Sequence, residues 1–188
     1  MKNINLILAS NSPRRQAMLK ELGLSFRIQT KDIDESFDDT LPPAEVPAML
    51  AKRKANAFLA NLQANEVLLT ADTVVICEGQ ILNKPESFEH AVAMLALLSG
   101  KKHEVVTAFC LTSTEKQVCI ADKTAVYFRE LTKDEIAHYV DTYKPYDKAG
   151  SYGVQEWIGM TGITRIDGSY FTVVGLPIHL VYKELQEF

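Results

Sequence analysis

Val67-Leu68-Leu69-Thr70-Ala71-Asp72-Thr73-Val74-Val75-Ile76 is the strongest strand signal in the chain, and it carries one carboxylate. A charge in an otherwise uncharged strand must find a partner, because stranding it costs several kcal/mol. Asp72 is therefore either half of a structural salt bridge or, as is common at strand ends, a metal ligand or general base. Directly after it, Glu78-Gly79-Gln80 forms a hairpin turn into Ile81-Leu82.

Upstream, residues 4–9 form a first strand, and a helix runs from 13 to about 22 with Ser12 as N-cap, Pro13 at N1 and Gly23 as its stop. A short strand near 26–30 leads into an acidic loop with Asp32, Asp34, Glu35, Asp38 and Asp39. Pro42-Pro43 opens a long amphipathic helix to about residue 62, with Pro47 tolerated in its first turn and Val46, Leu50, Ala57 and Phe58 as its apolar stripe. Downstream, a helix at about 88–98 stops at Gly100, and segments 104–113 and 117–128 pair as a hairpin. Thr132 and Glu135 form a capping-box pattern for a helix to about 142. The turn-rich stretch 144–153 precedes short strands around 164–166 and 170–174, and Gly175-Leu176-Pro177 introduces a last helix. Parallel-type crossovers mixed with hairpins predict an α/β or α+β fold around a mixed sheet.

The 188 residues fit one domain, or one domain in two lobes, and a net charge of −4 gives no general attraction to nucleic acid. Any polyanion site must be a local basic pocket. Cys77, Cys110 and Cys119 show no CxxC pair and no zinc spacing with the four histidines, and they read as reduced core thiols. The first apolar run is cut short at Ser10, too early for a signal peptide, and no stretch approaches the roughly 18 apolar residues of a membrane span. The expected location is cytoplasmic, with no membrane partner.

Several residues ask for a chemical explanation. Ser10-Asn11-Ser12-Pro13-Arg14-Arg15 is a strand, a tight turn and a helix start, where free N–H groups attract anions. Two arginines in the first helical turn oppose the helix dipole by about 0.3–1 kcal/mol each. An anionic ligand would reverse that sign, and two solvated surface arginines would look the same. On the helical wheel Lys52 points away from the apolar stripe, while Arg53 and Lys54 lie on or beside it, either snorkelling or offering a cation to a pocket. Lys84 sits in a stiff turn before Pro85. The acidic loop is a solvated charge run or the source of one metal-binding carboxylate. In Asp147-Lys148-Ala149-Gly150-Ser151-Tyr152-Gly153-Val154-Gln155 the glycines allow close backbone approach, and Gln155 offers a donor and an acceptor to a base edge, as an ordinary glycine-rich loop also would. No P-loop, GxGxxG, GxSxG or HExxH pattern is present.

Taken together, Leu8-Ala9-Ser10-Asn11-Ser12-Pro13-Arg14-Arg15, Ala71-Asp72-Thr73-Val74-Val75, Lys84-Pro85, the 147–155 segment, and Gly168-Ser169-Tyr170 through Gly175-Leu176-Pro177 resemble the Maf family of nucleotide pyrophosphatases over essentially the whole chain. Each motif is weak alone; in this order and spacing they are specific. The resemblance implies a central elongated mixed sheet with flanking helices and two lobes around a cleft, similar to the inosine triphosphatase fold, and a homodimer. It also implies hydrolysis of a nucleoside triphosphate between the α- and β-phosphates with Mg²⁺ or Mn²⁺.

Carried over by position, Asp72 looks like the proton acceptor, Glu35 like the acidic-loop carboxylate, and Lys54 and Lys84 like the phosphate-facing lysines, with Glu35 and Asp72 at the metal. Arg14, Thr73 and Gln155 match the substrate-distinguishing positions, and Ser10 and Arg15 complete the substrate-binding set. Ala71-Asp72-Thr73 with Gln155 resembles the branch acting on dTTP and UTP. Asn83, where many members have glycine, is a departure. Two rivals stand beside this reading: a non-enzymatic nucleotide-binding regulator of septum formation, which would use the same binding residues, and a nucleotidyltransferase, which also uses Arg-rich loops and carboxylates but needs a second substrate.

Overall fold

Ser12 starts the first helix as its sequence suggests, its side chain accepting a hydrogen bond from the Arg15 backbone N–H at 3.5 Å. The structure is a computed structural model that describes residues 4–188, so Met1, Lys2 and Asn3 of the N-terminal reading lie outside the described residues. In chain order the elements are β1 (Asn5–Leu8), α1 (Pro13–Glu21), β2 (Phe26–Ile28), α2 (Val46–Asn56), β3 (Glu66–Cys77), β4 (Gln80–Leu82), α3 (Phe88–Leu98), β5 (Lys102–Thr112), β6 (Gln117–Phe128), α4 (Lys133–Tyr143), α5 (Trp157–Gly162), β7 (Ile163–Asp167), α6 (Tyr170–Val174) and α7 (Ile178–Leu185).

Among the described residues the strands form one seven-stranded mixed sheet in the order β2-β1-β3-β5-β6-β7, with β4 also paired to β3. β1 lies parallel to β2 and β3, while β4 returns antiparallel through Glu78 and Gly79, both at positive φ. Parallel strands require crossovers, here α1 and α2, and become covered on both faces. That coverage explains the unbroken burial of Val67, Leu68, Leu69, Thr70 and Ala71. The sheet with flanking helices is the architecture the sequence predicts.

Two compact units divide the chain: residues up to Thr73 with Thr107–Asp122 and Gly175–Phe188, and Val74–Val106 with Lys123–Val174. In the first unit, Ile7 and Leu68 from the sheet pack with Ala51, Ala55 and Phe58. In the second, Leu95 and Leu98 of α3, Tyr139 and Val140 of α4, and Val126 and Ile158 share a core. The capping box at Thr132 and Glu135 is present in full. No helix among the described residues is long and apolar enough to cross a membrane.

Four local expectations change. The helix expected over 43–62 is a 3-10 turn at Pro43–Glu45, then α2, then another 3-10 turn at Leu59–Asn61. Pro47 has no N–H to bond back to residue 43, so the α-helix cannot begin earlier than its own first turn. Residues 170–174, expected as a strand from their aromatic and β-branched content, form α6. The ladder between β6 and β7 ends at the Ala125–Asp167 pair, Gly168 at φ 129 redirects the chain, and Thr124 Oγ1 donates to the Ser169 carbonyl at 3.0 Å. Strand propensity without a partner strand carries little. α5 has no counterpart in the sequence reading. Finally, Cys110 and Cys119 are joined as a disulfide with Cα atoms 4.1 Å apart, and Cys77 alone is a free buried thiol. The Ser113 N–H to Lys116 carbonyl bond closes the hairpin, and that register sets Cys110 opposite Cys119.

In the second unit His103 is 2% exposed, its Nε2 lies 2.7 Å from the Tyr152 hydroxyl, and its Nδ1 has no partner among the described residues. Burial lowers the imidazole to about 4. An unfolded histidine titrates near 6.5, so the unfolded chain binds more protons between those values, and stability falls as pH drops from about 6.5 towards 4. Urea titrations at pH 7 and pH 4 should show about 3 kcal/mol more acid destabilisation in the wild type than in His103→Gln. Equal pH dependence in the two would remove His103 from this role.

Candidate active site

Within β3 the buried run is interrupted at two adjacent positions, Asp72 and Thr73, before burial resumes at Val74. The side chains that meet these two positions come from α1, α2 and β5, with the acidic loop joined through Lys54, all in the first unit. Lys54, in the last turn of α2, places Nζ 2.7 Å from Asp72 Oδ1 and 2.6 Å from Glu35 Oε1. Asp72 and Lys54 keep 14% and 16% of side-chain exposure, whereas Glu35 keeps 56%. Asp72 is thus the desolvated acid, bound to its cation, and Glu35 is the one open to solvent.

Glu35 is held in place through its neighbours. Arg53 Nη1 donates to the carbonyls of Asp34 at 2.8 Å and Ser36 at 2.5 Å, on either side of Glu35. The Asp34 carboxylate accepts from the Ser36 N–H and hydroxyl, and these bonds hold it below its usual value. Arg53 is the residue whose role the sequence left undecided between snorkelling and a pocket cation; it fastens the loop backbone.

Arg15 is the second fixed point. Its Nε donates to the Gly175 carbonyl at 2.8 Å, Nη1 to the Ala71 carbonyl at 2.8 Å and to Ser10 Oγ at 3.3 Å, and Nη2 to Thr73 Oγ1 at 3.2 Å. Burial lowers this guanidinium from its ordinary value, Asp72 and Glu35 act in the opposite direction, and Arg14 adds to the lowering. The charges of Arg14, Glu35 and Asp72 thus all act on Arg15, and the four side chains share one electrostatic neighbourhood. Thr73 Oγ1 also lies 2.9 Å from Thr107 Oγ1, a contact absent from the sequence reading. Ser10 Oγ further accepts from the Ser12 N–H at 3.2 Å, which closes the turn into α1.

Seven of the residues singled out in the sequence, Ser10, Arg14, Arg15, Glu35, Lys54, Asp72 and Thr73, therefore share the first unit. Lys84 and Gln155 belong to the second. Lys84 is exposed after β4, and the preceding Asn83 carbonyl accepts from Gly150 N–H at 3.3 Å. Gly150 sits at φ 67, and a Cβ there would meet Val75 Cγ2 at 2.8 Å, so only glycine fits. Gln155 is exposed and lines a cavity of about 550 Å³ with Val154, Met160, Ile163, Arg165 and Tyr170 among its walls.

This ordering of motifs agrees with a family model described as Maf-like protein, which matches residues 5–188. The chain belongs to the Maf-like family. Curated relatives named dTTP/UTP pyrophosphatase match it nearly end to end. The Bacteroides fragilis protein is 51% identical over 97% of this chain and 95% of its own, and the Christiangramia forsetii protein 48% over 100% and 95%. The Parabacteroides distasonis protein is 43% identical over 100% of this chain and 98% of its own.

The Arg15 contacts make a stability prediction. An ammonium cannot reach acceptors on Gly175, Ala71 and Thr73 in fork geometry. Arg15→Lys should lower the urea unfolding free energy by about 3 kcal/mol, since hydrogen bonds to a charged donor contribute about 1.5–3 kcal/mol each. A variant within about 0.5 kcal/mol of wild type would show those bonds to be incidental.

Proposed function

We propose that this Maf-like protein hydrolyses dTTP and UTP to the nucleoside monophosphate and pyrophosphate. The observation that carries the reading is the Glu35–Lys54–Asp72 cluster at the two open positions of β3, with the Arg15 network beside it. The names of the full-length relatives support the substrate class.

Water attacks the α-phosphorus, the bond from that phosphorus to the oxygen bridging to the β-phosphate breaks, and pyrophosphate leaves with the electron pair. The water's proton goes to Asp72. Lys54 engages Oδ1, which leaves Oδ2 as the oxygen that takes it. Arg14, Lys54 and Lys84 meet the phosphate charge, which grows on the leaving group as the bond breaks. Arg15, with its donors on protein carbonyls, holds Ser10 and Thr73 in position to contact the substrate. Thr73 and Gln155 read the pyrimidine.

Two converging carboxylates fit a hard divalent cation, because Mg²⁺ takes one or two carboxylates and completes its shell with phosphate oxygens and water. Glu35, the more exposed of the pair, would hold it, with Asp72 in contact through water. When bound, such an ion withdraws charge from phosphate oxygens and acidifies water. A homodimer belongs to the same proposal and is read by sedimentation velocity.

Asp72→Asn should reduce pyrophosphate release from dTTP by about 10²–10⁴-fold while the protein remains folded, as circular dichroism would show. Near-normal turnover would remove Asp72 as the base, and tight nucleotide binding without any pyrophosphate release by the wild type would favour the regulator. Chelation with EDTA should abolish turnover and added Mg²⁺ or Mn²⁺ restore it; full activity in EDTA would rule out the metal. In a nucleotide panel, purine preference would overturn the pyrimidine assignment alone.

A further inference from the structure

The second unit buries a lysine, paired to two more exposed carboxylates, that the mechanism does not use. Lys148 is 9% exposed, and its Nζ lies 2.7 Å from Asp147 Oδ1 and 3.1 Å from Glu156 Oε1. Replacing a buried pair by apolar residues is often neutral or stabilising, so stability alone gives no reason to bury one here. The geometry around it supplies a reason.

Glu156 N–H donates to the Gly153 carbonyl at 3.0 Å, which makes 153–156 a β-turn with Val154 and Gln155 at its centre. Both ends of that turn meet on one phenol. Gly153 N–H donates to the Tyr139 oxygen at 3.0 Å, and the Tyr139 hydroxyl donates to Glu156 Oε2. Tyr139 is fully buried on α4, stacked on Tyr143 at 5.0 Å, so its oxygen is anchored to the core. Burial and the Glu156 carboxylate push the phenol above its ordinary value, so it remains a donor. Lys148 fixes the other oxygen of the same carboxylate. The near side of the turn is closed by α5: a Cβ on Gly159 would fall 1.9 Å from the Val154 carbonyl oxygen, so that backbone contact requires glycine. Val154 itself is buried in the core. Gln155 is thus an exposed side chain on a turn whose two ends and inner residue are all held by buried contacts, and it faces the 550 Å³ cavity.

We infer that Tyr139, Glu156 and Lys148 are positioning residues that fix the turn backbone from which Gln155 presents its amide for recognition of the nucleobase. The inference rests on the proposed reading of Gln155 as a base contact. A side-chain amide reads a base edge best from a backbone position fixed in advance, because a mobile turn would have to be ordered at the expense of binding free energy. The phenol bridge supplies that restraint without touching the substrate, so its loss acts on base recognition and not on the bond-breaking step.

The test compares steady-state kinetics of the full-length protein with dTTP and dATP for Gln155→Ala, Tyr139→Phe, Glu156→Gln and the Tyr139→Phe/Gln155→Ala double variant. Tyr139→Phe keeps the ring and removes both turn contacts. It should raise KM for dTTP about fivefold to tenfold, as expected for one or two lost hydrogen bonds, and change kcat less than about twofold. It should lower the dTTP-to-dATP ratio of kcat/KM towards that of Gln155→Ala, and the double variant should be no worse than Gln155→Ala. Glu156→Gln should move in the same direction and carries the test if Tyr139→Phe does not fold. Wild-type KM and discrimination in a folded Tyr139→Phe, with Gln155→Ala impaired, would overturn the positioning role and leave the base contact intact. So would independent, multiplying losses in the double variant. Unchanged discrimination in Gln155→Ala would remove the base contact and this inference with it.

Discussion

Lys54 Nζ lies within 2.7 Å of both Glu35 and Asp72, and the arrangement of the first unit around its site follows from that contact. Two carboxylates a few ångströms apart repel by about 3 kcal/mol at the effective dielectric of a protein surface, so they converge only around a cation. Lys54 is delivered there by backbone chemistry. Pro47 fixes where α2 begins, and Lys54 follows seven residues later, two helical turns along the same face. Pro47 is buried, and Lys54, two turns further along, reaches Asp72 at one of the two partly exposed positions within β3. Arg53, one residue earlier, points towards the loop and pins the carbonyls flanking Glu35. Adjacent cations on one helix thus hold the side chain and the backbone of the same acidic loop.

Much of the fold was legible because it is specified locally. The Ser12 cap, the Glu78-Gly79 hairpin and the Thr132–Glu135 box are each decided by residues within a few positions of one another, and each forms where the sequence places it. What escaped depends on distant partners. Tyr170-Phe171-Thr172-Val173-Val174 has strand composition, yet it is helical because the ladder ahead of it stops at Asp167. The disulfide turns on register: the expected strands 104–113 and 117–128 set Cys110 opposite residue 120, and the tighter turn closed by Ser113 N–H on the Lys116 carbonyl moves it to Cys119.

The site was legible in a different way. Asp72 announced itself as a charge without a partner in a buried strand, and Lys54 was one of two helical cations with an ambiguous direction; neither could be matched to the other from spacing alone. Their meeting is a tertiary fact. Arg15 shows how a correct anomaly leads to a partial explanation. Two arginines against the helix dipole did mark a special turn, but the compensation for Arg15 comes from the carbonyls of Ala71 and Gly175, which sit 56 and 160 residues away. Tyr139 and Glu156 gave no signal at all, since a tyrosine on an amphipathic helix and a glutamate at a helix start are ordinary in sequence.

Charge balance explains why contact geometry matters so much in this protein. Arg14, Arg15 and Lys54 against Glu35 and Asp72 leave the first-unit cluster at a net charge of +1, in a chain that carries −4 overall. A triphosphate approaching such a molecule meets weak repulsion at long range, and that field is screened beyond about 8 Å at physiological salt. Affinity must therefore arise after arrival, from donors held in advance at short range. This is the setting in which partly buried charges with fixed partners are useful despite adding little to stability: they fix geometry. Arg15 and Lys54 do so for the acids and hydroxyls of the first unit, and Lys148 with Glu156 does the same for the turn that carries Gln155.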